Sequence, residues 1–192
     1  MKLITKKFFE RDPALVAKDL LGKILIRRIN SKILAGKIVE TEAYYGKKDP
    51  ASRAYLGWPK YCVKLLHDKP GKILVYMVHA NWLFNVVAHE KRKDGAVLIR
   101  AIEPIKGIEI MQKNRKVKNL VELTNGPGKL TQALKIDVKS NGKFVTSRKS
   151  DVIICEGKRE KLKVCSSHRI GVTRDLKKNL RFFIEGNKFV SK

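Results

Sequence analysis

The spacing of the strand-like runs is the feature that most constrains this fold, because short turns rather than helices join most of them. KILIRRI and ILAGKIVETEAY flank the turn-like NSK and predict a β-hairpin. Further strand-like runs are ILVYMV, AVLIRAIEP, DVIICE, KVCSSHRIGV and LRFFIEG. A parallel sheet needs strands that alternate with crossover helices, and this sequence lacks that rhythm. We therefore predict an α+β fold over residues 1–192, a single domain with a largely antiparallel β-sheet flanked by helices.

Capping and turn residues predict the helices. In RDPALVAKDLLGK, Asp12 suits the N-cap, Pro13 the first helical position and Gly22 the end of the helix. After AVLIRAIEP we expect Pro104 to end a strand and IKGIEIMQKNR to form a short helix. NGPGKLTQALKI predicts a loop that enters a helix near Pro127.

The chain is strongly basic along its whole length. Lysine and arginine number 43 against 18 acidic residues, a formal net charge of +25. Such an excess destabilises a compact state by self-repulsion. We therefore expect a polyanion partner, most simply nucleic acid. A solvated charged surface is the plain alternative, and an anionic membrane surface has no basic amphipathic helix to support it.

The cysteines and the apolar runs indicate in which cellular compartment the protein is found. Cys62, Cys155 and Cys165 form an odd set without a CxxC pair, so neither a disulfide framework nor a zinc site is predicted. The N-terminal MKLITKKFFERDP lacks the apolar stretch of a signal peptide, and no apolar run approaches the ~18 residues of a membrane span. We expect buried free thiols and a cytoplasmic protein, or a nuclear one if the source has a nucleus.

Two carboxylates interrupt this basic sequence on one predicted strand. Glu40 and Glu42 in KIVETEAY alternate onto the same face. They could be surface glutamates that neutralise nearby lysines, or they could join Asp49 in binding Mg²⁺ for a nuclease, although no nuclease motif follows. In the third interpretation, one carboxylate activates a water beside a sugar–base bond, since a strand fixes a side chain better than a loop.

Aromatic residues that alternate with lysine and arginine suit stacking on an unpaired base. Each of these residues could instead pack in the core. The candidates are Tyr44, Tyr45, Tyr55, Trp58, Tyr76, His79 and Trp82.

The GPGK segment at 126–129 has a second possible role. It lacks the spacing of a P-loop, so a nucleotide-binding site of that kind is excluded. A loop that enters a helix can still present amides to a DNA phosphate. Gly128 and Lys129 are therefore candidates for phosphate binding, with a plain helix start as the alternative.

Taken together and in order, these segments resemble the alkyladenine (3-methyladenine) DNA glycosylase family. VETEAY and LIRAIEP are specific in combination, and GPGKLTQAL adds to them. The resemblance covers nearly the whole chain, through LVAKDLLGK, GKIVETEAYYG with DPAS, KPGKILVY, FNVV, GAVLIRAIEP, NGPGKLTQAL, and RIGV with LRFFIEGN.

The resemblance implies a fold and a reaction. The family has one mixed domain with a curved antiparallel sheet and uses no metal or other cofactor. It extrudes a damaged purine from double-stranded DNA and cuts the N-glycosidic bond with water, without a lyase step. By position, Glu42 matches the water-activating glutamate and Arg100 the arginine that helps to hold the water. The backbone carbonyl near Ile170 matches a third contact to that water, and we expect the protein to act as a monomer.

The resemblance also assigns the pocket that receives the base. Tyr44 and Tyr76 match the tyrosines that sandwich the base, and Asn85 matches the asparagine that excludes guanine through its amino group. His79 is the candidate for the side chain that enters the gap in the stack, in a segment one residue shorter than the pattern. Where many members have a histidine, this chain has Arg53. A fixed cation there should favour neutral lesions such as hypoxanthine over cationic alkylpurines.

The chemistry of base excision and the charge of the chain both support this assignment. A stacked base is out of reach of catalytic groups, so the chemistry requires flipping. Positive charge that is spread along the chain binds phosphates whatever the base sequence of the DNA. Glu42 would be the acid that the chemistry needs, and Glu40 would have a supporting or structural role. The alternative function is a basic nucleic-acid-binding protein without catalysis, in which the glutamates only adjust surface charge.

Overall fold

A computed structural model describes residues 1–191 of the chain. Within them lie eight β-strands, six α-helices and two short 3-10 helices at Val121–Leu123 and Val138–Ser140. The α-helices are α1 (Lys6–Phe9), α2 (Pro13–Asp19), α3 (Arg53–Leu56), α4 (Lys60–Leu66), α5 (Ile108–Arg115) and α6 (Pro127–Leu134). The strands are β1 (Ile24–Ile29), β2 (Lys32–Tyr45), β3 (Ile73–Val78), β4 (Asn81–Val87), β5 (Gly95–Lys106), β6 (Val152–Cys155), β7 (Val164–Ser167) and β8 (Arg181–Ile184).

All eight strands form one curled antiparallel sheet, which confirms the predicted fold class. The main order is β3-β4-β5-β2-β1-β6, and β8 pairs with both β2 and β7. The long strand β2 lies at the centre. β5 pairs with one of its edges, while β1 and then β8 pair with successive parts of the other. Side chains on β2 are therefore surrounded by backbone from three other strands.

Local signals in the sequence account for the first elements. Ile29 pairs with Lys32, so the β1–β2 hairpin has a two-residue turn, and Asn30 adopts φ 52° there. The Oδ1 atom of Asp12 accepts a hydrogen bond from the backbone amide of Ala14 at 2.8 Å and caps α2 as predicted. Pro127 is the first residue of α6, again as predicted.

The predicted end of β5 at Pro104 is wrong. The strand continues to Lys106, and Pro104 pairs with Gly36 beside a register shift between Ala35 and Gly36. Such an irregularity tolerates a residue that has no amide hydrogen to donate. Neither β4 nor α4 is predicted by the sequence patterns, and neither are the short helices α1 and α3.

The main core lies between the sheet and helices α2, α5 and α6. A smaller apolar cluster lies beneath α3 and α4, and includes Cys62, Leu66, Leu74 and Tyr76. Cys62 is buried and free, as is Cys155, whereas Cys165 is partly exposed. The smaller cluster fixes one wall of the cavity described below.

Candidate active site

A pair of β-bulges positions the two carboxylates of β2. Ile38 pairs with Ile102, Glu40 with Ala101 and Thr41 with Ile99, so Val39 and Arg100 are the extra residues of two adjacent bulges. Bulges re-aim side chains and are frequent beside active sites. In this case they bring the arginine of β5 against the acids of β2.

Glu40 and Glu42 are both fully buried, so the interpretation as surface glutamates is wrong. The Arg100 guanidinium joins them: its Nε donates to Glu40 Oε1 at 2.9 Å, and its Nη1 lies 3.1 Å from Glu42 Oε1. Both acids thus reach the same side of the strand, as the sequence predicts. A buried charge is tolerated only when it is paired and hydrogen-bonded, and this arrangement meets that requirement.

Glu40 is enclosed by donors. Besides Arg100, its Oε1 accepts from Arg181 Nε at 2.7 Å and from Ser191 Oγ at 2.8 Å. Its Oε2 accepts from the backbone amide of Ser191 at 2.7 Å. Four hydrogen bonds therefore fix this carboxylate and, through it, the Arg100 side chain.

Glu42 accepts two hydrogen bonds, forms one ion pair and lies directly behind the cavity wall. Its Oε1 accepts from the Ile170 amide at 2.8 Å and is paired with Arg100, while its Oε2 accepts from the Tyr44 hydroxyl at 2.7 Å. A carboxylate oxygen has two lone pairs, so Oε2 retains one acceptor position. The Ile170 backbone thus contacts Glu42 through its amide, whereas the resemblance implied a role for a carbonyl nearby.

Two neighbours of Glu42, Tyr44 and Arg100, keep their protons. Burial, and after it the Glu42 carboxylate, raises the pKa of Tyr44 well above its ordinary value, so the hydroxyl keeps its proton and donates. Burial alone would lower the pKa of Arg100, but Glu42 and Glu40 more than offset this and the pKa is raised. Both partners therefore hold the forms that stabilise a carboxylate.

Asp49 does not join the two glutamates. It forms a bidentate pair with Arg169, with Nη1–Oδ2 at 2.7 Å and Nη2–Oδ1 at 2.8 Å, and both side chains are fully buried. Arg169 also pairs with Asp175, and its guanidinium carbon lies 4.5 Å from the Tyr44 ring centroid. The triad of acids expected for a magnesium nuclease is therefore absent at this site. Across residues 1–191, no cluster of three or more His, Cys, Asp or Glu side chains is placed to bind a metal ion.

A cavity of about 570 Å³ opens beside the buried charged side chains of Glu40, Glu42 and Arg100. Tyr44, Arg53, Tyr76, Arg100 and Ile170 line it, and so do His79, Gly128 and Lys129. A small adjoining recess is lined by Tyr44, Arg53, Tyr76 and Asn85. The structure thus brings the predicted site residues to one place, with Glu42 immediately behind three of the lining residues.

The wall around the recess is mixed in charge and polarity. The Arg53 guanidinium carbon lies 4.8 Å from the Tyr76 ring centroid, so the two side chains stack. Burial raises the pKa of Tyr76, and the nearby Arg53 partly opposes this shift. Asn85 is buried and donates to the carbonyls of Leu83 and Leu74 at 3.2 and 3.3 Å. The recess itself measures only about 10 Å³, and two tyrosine rings, one cation and one amide surround it.

Comparison with known proteins agrees with this geometry. Residues 7–188 match the family model described as Methylpurine-DNA glycosylase (MPG). The chain belongs to the methylpurine-DNA glycosylase family. A protein of Clostridium perfringens (strain SM101) is 42% identical over 97% of this chain and 98% of its own length. Proteins of Aeropyrum pernix and Carboxydothermus hydrogenoformans are 39% and 41% identical over 100% and 99% of this chain, and cover 94% and 99% of their own lengths.

All three relatives bear the name "Putative 3-methyladenine DNA glycosylase". DNA glycosylases hydrolyse N-glycosyl bonds of DNA, so the family match indicates a hydrolase whose substrate is DNA. None of the helices within residues 1–191 is both long and apolar enough to cross a membrane.

The rim of this cavity is formed by a hairpin tip and a helix start. His79 and Ala80 make a two-residue turn between β3 and β4, both with positive φ (46° and 59°), and His79 is exposed. Asn81 donates to the His79 carbonyl at 2.8 Å and accepts from Gln132 of α6 at 2.8 Å. The tip is therefore fastened to the helix that begins in the GPGK segment.

The GPGK segment contacts the hairpin closely. A Cβ on Gly128 would lie 2.8 Å from the Cβ of Asn81, so a larger residue there would require the hairpin to move. The Lys129 ammonium donates to Asn125 Oδ1 at 2.9 Å. This arrangement is compatible both with phosphate binding and with a plain helix start, so the two interpretations remain open.

Three residues of this site, Arg169, Arg181 and Ser191, are not singled out by the sequence patterns. Arg169 directly precedes Ile170 in RIGV, which is the only signal that could have singled it out. Arg181 is the second residue of the strand-like LRFFIEG and is buried at the start of β8. In a sequence with 43 lysines and arginines, neither stands out by residue type.

Proposed function

We propose that this chain is a monofunctional DNA glycosylase that flips an alkylated or deaminated purine out of double-stranded DNA and hydrolyses its N-glycosidic bond. The observation that carries the proposal is the Glu42 carboxylate. It is buried, fixed by Tyr44, Ile170 and Arg100, and has one acceptor position left on Oε2. Such a group is pre-organised to receive a proton from a water molecule.

In the proposed reaction, the water oxygen forms a bond to the sugar C1′ atom and its proton passes to Glu42 Oε2. The bond from C1′ to the purine nitrogen breaks and its electron pair leaves with the base. A cationic alkylpurine thus departs neutral, whereas a neutral lesion departs as an anion that takes up one proton from solvent, and Glu42 then returns its proton to solvent. The transition state resembles an oxocarbenium ion, so the negative charge of Glu42 also stabilises it. The Arg100 guanidinium orients the carboxylate, and the products are a free base and an abasic site.

Tyr44, Tyr76, Arg53 and Asn85 are proposed to bind the extruded base. The two tyrosines offer faces for stacking, and each stacked base contributes about 1–3 kcal/mol. Asn85 offers an amide to the edge of the base, and Arg53 adds a permanent cation. His79 at the exposed hairpin tip is proposed to enter the gap in the stack, and Gly128 with Lys129 to contact a phosphate nearby.

The proposed reaction uses no metal ion. Both carboxylates that could bind one are engaged by guanidinium groups, Glu40 by Arg100 and Arg181, and Glu42 by Arg100. A divalent cation would have to displace an arginine at close range, which like-charge repulsion opposes. The net charge of +25 binds the DNA phosphates in place of a metal ion.

The deciding experiment incubates the protein with duplexes that contain hypoxanthine, ethenoadenine or 3-methyladenine, in EDTA, and then cleaves abasic sites with alkali. We expect release of at least one modified purine, with strand breaks only after alkali. Strand breaks without alkali would contradict the absence of a lyase step. Activity that requires added Mg²⁺ would support a nuclease, and tight binding without release would support a binding protein.

A further inference from the structure

A second cavity lies at the opposite end of the sheet order from the candidate active site. It measures about 810 Å³ and is formed by the N-terminus, the turn before β1 and the segment between β6 and β7. The two cavities share none of their lining residues. We call this second cavity the basic cleft, because its charged lining residues are Lys2, Lys23, Lys158, Arg159 and Lys161 with Glu156 and Glu160.

Two glycines allow the walls of the basic cleft to approach each other. A Cβ on Gly157 would lie 1.9 Å from the carbonyl oxygen of Gly22, which no side chain can tolerate. Gly22 itself adopts φ +81°, and a Cβ there would meet Leu162 at 2.8 Å. The amide of Glu156 donates to the carbonyl of Lys2 at 2.8 Å. The cleft is therefore built into the fold rather than left between loose loops.

The charges of the basic cleft do not balance. Glu156 pairs with Lys23 at 2.6 Å, and Glu160 pairs with Lys37 at 3.4 Å. In the part of the chain that the structure describes, no ion pair involves the other four cations, which are Lys2, Lys158, Arg159 and Lys161. All four are exposed. Cations that line one concave surface focus the field and attract anions.

The form of the cleft indicates which anion fits. Its free cations are exposed, and long exposed lysines contact phosphates as point charges rather than in a fixed geometry. That is the pattern of contacts to a nucleic-acid backbone, which position without reading sequence. A specific site for a small anion would instead require rigid, buried donors.

We propose that the basic cleft binds the phosphate backbone of a second DNA duplex while the candidate active site engages the first. The choice of DNA as the polyanion rests on the proposed function. The proposal goes beyond it, because two separate sites would let the protein pass from one duplex to another without first dissociating completely. Its observable consequence is a dissociation rate that rises with the concentration of competing DNA.

The test compares two triple variants that lose the same charge. The cleft variant is Lys158→Ala/Arg159→Ala/Lys161→Ala, and the control variant is Lys106→Ala/Lys113→Ala/Lys118→Ala. The control lysines are exposed and line neither cavity. The dissociation rate of a labelled undamaged duplex is measured by stopped flow at increasing concentrations of unlabelled duplex.

We expect the rate to rise in proportion to competitor for the wild-type protein and the control variant. For the cleft variant we expect the slope to fall by about tenfold, because about three phosphate contacts of the second duplex are lost. A wild-type rate that is independent of competitor would overturn the proposal, and so would equal slopes for the two variants. Release of modified purine from a short duplex by the wild-type protein is measured separately, so that failure of the proposed function is distinguished from failure of the cleft.

Discussion

The two acids of β2 are equally buried and share the guanidinium of Arg100, yet their surroundings differ. Glu40 is enclosed by four hydrogen bonds from Arg100, Arg181 and Ser191. Glu42 accepts two hydrogen bonds, pairs with Arg100 and lies directly behind three residues of the cavity wall. We call Glu40 with Arg181 and Ser191 the inner half of this buried charged cluster. We call Glu42 with Tyr44 and the Ile170 amide the outer half, and Arg100 joins the two.

The difference indicates how a strand can hold a reactive group rigidly next to a cavity. A fully satisfied buried network is rigid and stabilises one arrangement. The inner half therefore fixes Arg100 from behind, and Arg100 in turn fixes the Glu42 carboxylate. Only the outer half faces the space where a substrate would lie. The inner half should thus contribute mainly to stability and the outer half mainly to rate, which the following predictions test.

The largest effect is expected for Glu42→Gln. Glutamine has nearly the same shape but cannot take a proton from water, so the single-turnover rate of purine release should fall by roughly 10²–10⁴. Affinity for duplex that contains the lesion should change little, because the base contacts remain. Glu40→Gln is the matched control. Similar small losses in both variants would remove Glu42 from the catalytic role.

The next effect concerns stability and the inner half. Glu40→Gln leaves Arg100 and Arg181 without their shared carboxylate, and breaking a buried pair in this way typically costs about 3–5 kcal/mol. The free energy of unfolding, measured with urea, should fall by that amount. Glu103→Gln is the control, since Glu103 pairs with Lys37 at 3.3 Å while 35% exposed, and such pairs contribute about 0–1 kcal/mol. Equal changes in the two variants would show that the inner half is not a stabilising network.

The fold could be predicted where its signals are local. The cap at Asp12 and the two-residue turn at Asn30 depend on neighbouring residues, and both are found. The course of β5 through Pro104 could not be predicted, because it depends on pairing with Gly36 of a distant strand. The same holds for β4, whose pairing with β3 and β5 decides its conformation more than its own residues do.

Some residues of the candidate site could likewise be predicted from the sequence, and others could not. Glu42 could be singled out because an acid within a basic, apolar strand is unusual. Arg169 and Arg181 could not, since they come from the last part of the chain and their partners Asp49 and Glu40 lie more than a hundred residues earlier. Which arginine among many is buried against a carboxylate depends on strand order, and strand order is a property of the tertiary structure.

A smaller effect is expected for Arg53, at the cavity end of the outer half. A guanidinium that stacks on Tyr76 should repel a cationic purine, and it can donate to the O6 or N7 acceptors of hypoxanthine. Arg53→His should lower the ratio of hypoxanthine release to 7-methylguanine release by about tenfold, which corresponds to ~1.4 kcal/mol. An unchanged ratio would show that Arg53 points to the DNA backbone and does not contact the base.

The affinity for undamaged DNA should change less when any single residue is substituted. If about six phosphates are neutralised, the logarithm of the affinity for undamaged duplex should fall against the logarithm of salt with a slope near −5. Lys129→Ala should make that slope shallower by about one unit and weaken binding to all sequences alike. A slope unchanged by the substitution would favour the plain helix start for the GPGK segment.

The smallest effect concerns Tyr44, which connects Glu42 to the cavity wall. Burial, and after it Glu42, raises its pKa well above 10.0, so the folded protein keeps a proton that the unfolded chain loses above about pH 10. The stabilisation is fully present below that pH and is lost as pH rises further. Tyr44→Phe removes the ionisable group, so its free energy of unfolding should decline less between pH 9 and about pH 11 than that of the wild type. Tyr55→Phe, at a position that is 50% exposed, is the control and should follow the wild-type curve. If Tyr44→Phe also follows that curve, the hydroxyl has no preferred partner in Glu42, and the outer half would be held by Arg100 and the Ile170 amide alone.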